Sequence, residues 1–166
     1  MKTSVSLTIN GKPHEVAVEP RLSLADLLRD ELRLTATHLG CEQGVCGTCT
    51  ILIDGEQARA CLTLAITTDG ADIRTLEGFA DDALMGVLKD AFHKKHGLQC
   101  GFCTPGMLIS SWDLLKRKGR LSEREIRIAM SGNLCRCTGY QNIIRSIKAA
   151  SDSWAEMSAD APEAVR

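Results

Sequence analysis

The chain has 166 residues, 44% of them apolar and 25% charged, with 20 basic against 21 acidic side chains. That balance gives no basic footprint for nucleic acid or an anionic membrane, and no apolar run approaches the roughly 18 residues of a membrane span. The opening Met-Lys-Thr-Ser-Val-Ser-Leu-Thr-Ile-Asn has no signal-peptide core, so a cytoplasmic location is expected.

Val5, Leu7 and Ile9 alternate with polar residues, Asn10-Gly11 is a hairpin turn signal, and Val16 and Val18 resume the alternation. A β-hairpin is expected. Ser23 is a helix N-cap ahead of Leu24, Leu27, Leu28 and Leu32 at helical spacing. Residues 38–49 form a loop rich in Gly and Cys, and strands are predicted at 50–53 and 58–66 around an Asp54-Gly55 turn. This first part reads as a mixed α+β unit.

After Gly78 the period becomes helical, with Leu84, Val87, Leu88, Ala91 and Phe92 on one face. Thr104-Pro105 opens a second helix carrying Leu108, Trp112 and Leu115. Ser122 and Glu125 form a capping-box pattern for a third, and Tyr140, Ile143, Ile144 and Ile147 mark a fourth. The second part reads as an all-α four-helix unit, so the expected division is 1–77, 78–153 and a loose tail over 154–166 rich in Ala, Asp, Glu and Pro.

The eight cysteines fall into two groups of four. In a reducing compartment they read as metal ligands rather than disulfides. Cys41, Cys46, Cys49 and Cys61 read C-x4-C-x2-C-x11-C, and the first three have the spacing of a plant-type 2Fe–2S loop. Three thiolates converge from one short loop, and Cys61 supplies the fourth from the start of a predicted strand. Gly40, Gly44 and Gly47 let backbone amides turn toward sulfur. A zinc ribbon shows two short Cys pairs instead, and a Rieske site needs a second histidine besides His38.

Cys100, Cys103, Cys135 and Cys137 read C-x2-C-x31-C-x-C. The spacer contains two predicted helices, and a helical hairpin of that length returns close to its start at about 1.5 Å per residue. Each Cys pair precedes a helix with Thr104 or Thr138 as the expected N-cap. Two helix N-termini would then face one anionic cluster. A four-thiolate zinc site stays an alternative at this second group. Glu42, Asp54 and His96 have no partner pattern and read as solvated, Trp112 and Met130 as core.

The segments Gly40–Cys49, Gln99–Met107 and Gly132–Tyr140 resemble the two cluster-binding stretches of the iron–sulfur small subunits of the molybdenum hydroxylases. That family includes xanthine dehydrogenase, aldehyde oxidoreductase, carbon monoxide dehydrogenase and bacterial N-heterocycle dehydrogenases. The resemblance covers roughly residues 3–152. It implies an N-terminal β-grasp domain of plant-type ferredoxin form and a C-terminal four-helix bundle, each with one 2Fe–2S cluster. It implies a large partner subunit bearing molybdopterin, commonly as the cytosine dinucleotide, and often a medium FAD subunit, the whole a dimer of heterotrimers. The C-terminal cluster would face the molybdopterin, with Gln99 and Cys137 beside the pterin, and the N-terminal cluster would face the flavin. In such complexes two electrons leave a substrate C–H bond at molybdenum, and the small subunit relays them one at a time. No catalytic acid, base or nucleophile is expected on this chain. The competing readings are a freestanding two-cluster carrier and a structural two-zinc interaction module.

Overall fold

The computed structural model describes residues 2–159. Strands β1 (Thr3–Ile9) and β2 (Lys12–Val18) form the expected hairpin, with Thr3 opposite Val18 and Ile9 opposite Lys12. Asn10 and Gly11 both have positive φ, 51° and 77°, the type I′ geometry that matches the twist of antiparallel strands. Asp54 and Gly55 repeat it between β3 (Thr50–Ile53) and β4 (Glu56–Arg59). A short strand, β5 (Asp72–Arg74), inserts between the hairpins and gives the order β2-β1-β5-β3-β4. It runs parallel to β1 and antiparallel to β3.

Helix α1 (Leu24–Asp26) is capped by the Ser23 hydroxyl, which accepts from the Asp26 amide, and continues as a π turn over Leu27–Glu31. Its Leu24, Leu27 and Leu28 pack with Val5, Leu7, Ile9, Ile51 and Ile73 as the first core. Alternation along β1 supplies one apolar face to that core, and helical spacing along α1 supplies the other.

The strand expected over 58–66 ends at Arg59, and the chain then makes 3-10 turns over Ala60–Leu62 and Ala65–Thr68. Cys61 therefore sits in a turn just beyond a strand rather than at the start of one. The Ala60 amide donates to the Cys49 carbonyl, and the tight turn that follows brings Cys61 back over the loop.

The second core lies among α2 (Ala83–Lys94), α3 (Thr104–Lys118), α4 (Glu123–Ala129) and α5 (Gln141–Ala159). Asp82 caps α2 through the Met85 amide, and its Oδ1 also accepts from Trp112 Nε1 at 2.9 Å. Both halves of the capping box at Ser122 and Glu125 are formed. Met130 is buried as expected, and Trp112 packs against the same core from a partly exposed position. The tail expected from residue 154 starts too early. Helix α5 runs to Ala159, because Trp154 falls on its inner face and packs against this core. Residues 160–166 of that expected tail lie outside the described residues.

The two units meet through backbone. A Cβ on Gly106, in the first turn of α3, would lie 2.2 Å from the Gly47 carbonyl oxygen. The connection between the units is tied to the first hairpin. The Asn10 side chain accepts from the Thr75 amide and donates to the Thr75 hydroxyl, each at 2.9 Å.

Candidate electron-transfer site

The loop from Gly40 to Cys49 is shaped by residues of positive φ: Glu42 at 52°, Gly44 at 77° and Gly47 at 70°. These reversals turn the amides of Gln43 and Cys46 onto Cys41 Sγ, each at 3.4 Å. The two amides pull the Cys41 thiol down to about 7. Its neighbour Cys46 is raised, chiefly by burial. Cys49 is buried, and burial pushes it up to about 11. Cys61 Sγ lies 3.3 Å from Cys49 Sγ. The four sulfurs thus come in two pairs, Cys41 with Cys46 and Cys49 with Cys61.

The second group repeats the pattern. Cys100 Sγ and Cys137 Sγ lie 3.4 Å apart at the surface, while Cys103 and Cys135 neighbour each other at less exposed positions. The Phe102 amide and the bond to Cys137 lower Cys100, and the shared proton raises Cys137. Burial drives Cys103 up to about 12. Burial also acts against ionising Cys135, yet the Thr138 hydroxyl, 3.1 Å from its sulfur, and nearby amides outweigh it and lower that thiol.

Sulfurs arranged two by two suit a binuclear cluster, in which each iron takes two thiolates. One zinc would instead need its donors around a single point. The donor set, four free cysteines in each group, fits 2Fe–2S on both counts.

The two groups are joined. The Leu134 amide donates to the Cys46 carbonyl at 2.8 Å, and the buried Asn133 side chain donates to the Gly47 carbonyl at 3.2 Å. Arg59 holds both the Thr50 hydroxyl and the Gly132 carbonyl. The Phe102 carbonyl accepts from Thr48 Oγ1 at 2.9 Å, and His38 stacks on the Phe102 ring at 4.7 Å. A cavity of about 230 Å³ between the groups is lined by Gly40, Cys46, Phe102, Cys103, Leu134 and Cys137 among others.

A family model described as "2Fe-2S iron-sulfur cluster binding domain" matches residues 7–72, and one described as "[2Fe-2S] binding domain" matches residues 75–148. The chain is 58% identical to the caffeine dehydrogenase subunit gamma of Pseudomonas sp. (strain CBB1), over 89% of this chain and 90% of that one. It is 49% identical to the nicotine 6-hydroxylase small subunit of Paenarthrobacter nicotinovorans, over 88% of each chain. A chain in the crystal structure of quinoline 2-oxidoreductase from Pseudomonas putida 86 superposes with a TM-score of 0.87 at 50% identity, covering 93% of this chain and 97% of that one. This chain belongs to the iron–sulfur small subunits of the molybdenum hydroxylases.

As a molybdenum hydroxylase small subunit it is an α+β protein, with a ferredoxin-like N-terminal domain and a helical C-terminal domain, and it transfers electrons in a multi-subunit dehydrogenase. Among the described residues no helix is long and apolar enough to cross a membrane. Gln99 is exposed beside the exposed Cys100. Glu42, Asp54 and His96 are exposed and hold the left-handed backbone of turns.

One expectation at the second group is corrected. Thr104 is the first residue of α3, and Cys103 itself stands at the N-cap without a side-chain bond. Thr138 lies three residues before α5, and its hydroxyl is turned to Cys135 Sγ. Its oxygen accepts from the Tyr140 amide, one residue ahead of the helix, rather than from an amide within α5. Sequence reasoning also missed Arg59, Asn133 and Gly106, which join the units. Glycine at the third residue of a helix after Thr-Pro was the available signal for the last of these, since glycine costs a helix about 1 kcal/mol against alanine.

Proposed function

We propose that this subunit relays single electrons from a molybdopterin centre on a large partner subunit, through two 2Fe–2S clusters, to FAD on a medium subunit. Cys41, Cys46, Cys49 and Cys61 hold the first cluster, in the domain of residues 1–77. Cys100, Cys103, Cys135 and Cys137 hold the second, in the helical domain that begins at residue 78 and runs to the end of α5. The observation that carries this is the sorting of all eight sulfurs into four pairs, joined across the domains by the Leu134–Cys46 backbone bond. Each bound cluster supplies a one-electron couple. The chain's own residues fix the sulfurs, aim amides at them and keep the space between the groups largely apolar.

The second group faces the large subunit. That orientation is supported by Cys100 and Cys137 at the surface, ringed by the exposed Leu98, Phe102 and Leu134. Gln99 and Cys137 then lie beside the pterin, in its cytosine dinucleotide form. Val45, Leu62 and Leu64 are exposed around the first group and face the flavin side. The assembly is a dimer of heterotrimers in the cytoplasm. Caffeine, nicotine and quinoline, named in the relatives, are all N-heterocycles, so the substrate is placed in that class, with its pocket in the large subunit.

Purification of the native complex tests this. Molybdenum, FAD and two larger chains should accompany the subunit, and an N-heterocyclic substrate should bleach its visible absorption anaerobically. Isolation of the chain alone, with iron and sulfide but without molybdenum, would favour a freestanding carrier instead.

A further inference from the structure

We propose that the Thr138 hydroxyl tunes the second cluster, raising its reduction potential by donating a hydrogen bond to Cys135 Sγ, and that Tyr140 positions it. The inference rests on the ligand assignment above and adds a residue that touches no iron. Thr138 Oγ1 donates to Cys135 Sγ at 3.1 Å. The Tyr140 amide donates to the same Thr138 oxygen at 3.1 Å. The Tyr140 hydroxyl in turn accepts from the Cys135 amide at 3.0 Å. These three bonds close a ring around Cys135.

The ring explains the backbone at this point. Gly139 and Tyr140 are both left-handed, at φ 63° and 69°. A bulky aromatic residue is seldom held there and costs energy to place there, so something must over-determine it. The reversal points the Tyr140 amide back at Thr138 while its carbonyl accepts the Ile144 amide and starts α5. With one lone pair of the Thr138 oxygen occupied by the Tyr140 amide, its O–H is left directed at sulfur. The Cys135 amide, taken by the tyrosine hydroxyl, does not compete for that position.

The chemistry follows from charge. Reduction adds one electron to the cluster and makes or breaks no bond to iron, so the ligand sulfurs become more negative. A hydrogen bond to sulfur is then stronger in the reduced form and favours it. The matching threonine of the other motif, Thr104, has no bond from its hydroxyl to sulfur among the described residues, which makes it an internal control.

The experiment is a dithionite titration of the intact complex, each cluster followed by its own paramagnetic signal. Thr138→Val, which keeps the shape and loses the hydroxyl, should lower the second-cluster potential. At fixed ambient potential the oxidised-to-reduced ratio of that cluster should rise on the order of tenfold, as for loss of a bond to a charged acceptor. Thr138→Ser should restore the parent value, and Thr104→Val should leave it unmoved. The first cluster should be unchanged in all three. An unshifted Thr138→Val, or equal shifts in Thr138→Val and Thr104→Val, overturns the inference while the ligand assignment stands. Parent complex with no pair of 2Fe–2S signals would overturn the ligand assignment itself. Iron and sulfide content of each variant separates a shifted potential from a lost cluster.

Discussion

Gly106→Ala is expected to destabilise the protein even though it puts a better helix former into a helix. On propensity alone the change should stabilise α3 by about 1 kcal/mol. The added Cβ, however, would stand 2.2 Å from the Gly47 carbonyl oxygen and 3.0 Å from Thr48 Cα, both backbone. Going from 2.2 Å to the 3.4 Å where ordinary contact begins requires α3 and the first loop to part by about 1.2 Å. Overpacking of this kind costs about 1–3 kcal/mol. The same parting stretches the Thr48–Phe102, Leu134–Cys46 and Asn133–Gly47 hydrogen bonds, each contributing about 0.5–1.5 kcal/mol. The net expectation is a loss of about 1–3 kcal/mol. Anaerobic urea unfolding of the cluster-loaded protein, followed by loss of visible circular dichroism, reads it as a lower midpoint at unchanged slope. Gly86→Ala in α2 is the control, because its Cβ would meet nothing within 4 Å, and it should raise the midpoint through propensity alone. Should Gly106→Ala raise the midpoint as Gly86→Ala does, the close approach of helix and loop is not a constraint and the account of the domain junction fails.

Cys103→Ser should abolish the paramagnetic signal of the second cluster, and with it substrate-driven reduction of the first. Cys49→Ser should spare the second signal, and equal loss of both in either folded variant would contradict separate sites. Trp112→Phe should cost about 1 kcal/mol in thermal unfolding, since the Asp82 oxygen that accepts from Trp112 also caps α2. Asp152 is bound by Lys148 and Arg120, which hold its carboxylate below the usual range. Because that folded pKa is depressed, its contribution is present above about pH 4, where the unfolded carboxyl ionises, and fades as pH falls through the folded value. Asp152→Asn should therefore lower stability near neutral pH, by under about 1 kcal/mol for so exposed a pair, and the difference from the parent should vanish in acid.

What the sequence made legible was local. Asn10-Gly11 and Asp54-Gly55 announce their turns because few other dipeptides accept two successive left-handed residues, and the structure holds both that way. Ser122 and Glu125 announce α4 because both partners of the box are four residues apart or fewer. Other features depend on distant partners. Strand β5 is three residues long, too short for a period to show, and exists because β1 and β3 flank it. The predicted strand at 58–66 gives way to 3-10 turns because Cys61 must return to Cys49, a requirement alternation cannot express. Trp154 extends α5 by packing on a core built from other helices. Thr138 follows a cysteine as Thr104 does, and only the backbone reversal at Gly139-Tyr140 separates their roles.

The claim beneath the whole account is that each sulfur group holds its own binuclear iron cluster. Paramagnetic resonance of the anaerobically reduced protein, integrated against chain concentration with iron and acid-labile sulfide measured on the same sample, tests it most directly. Two distinct signals totalling about two spins per chain, with about four irons and four sulfides, are predicted from eight thiolates. A silent, colourless sample containing zinc and no sulfide would contradict it.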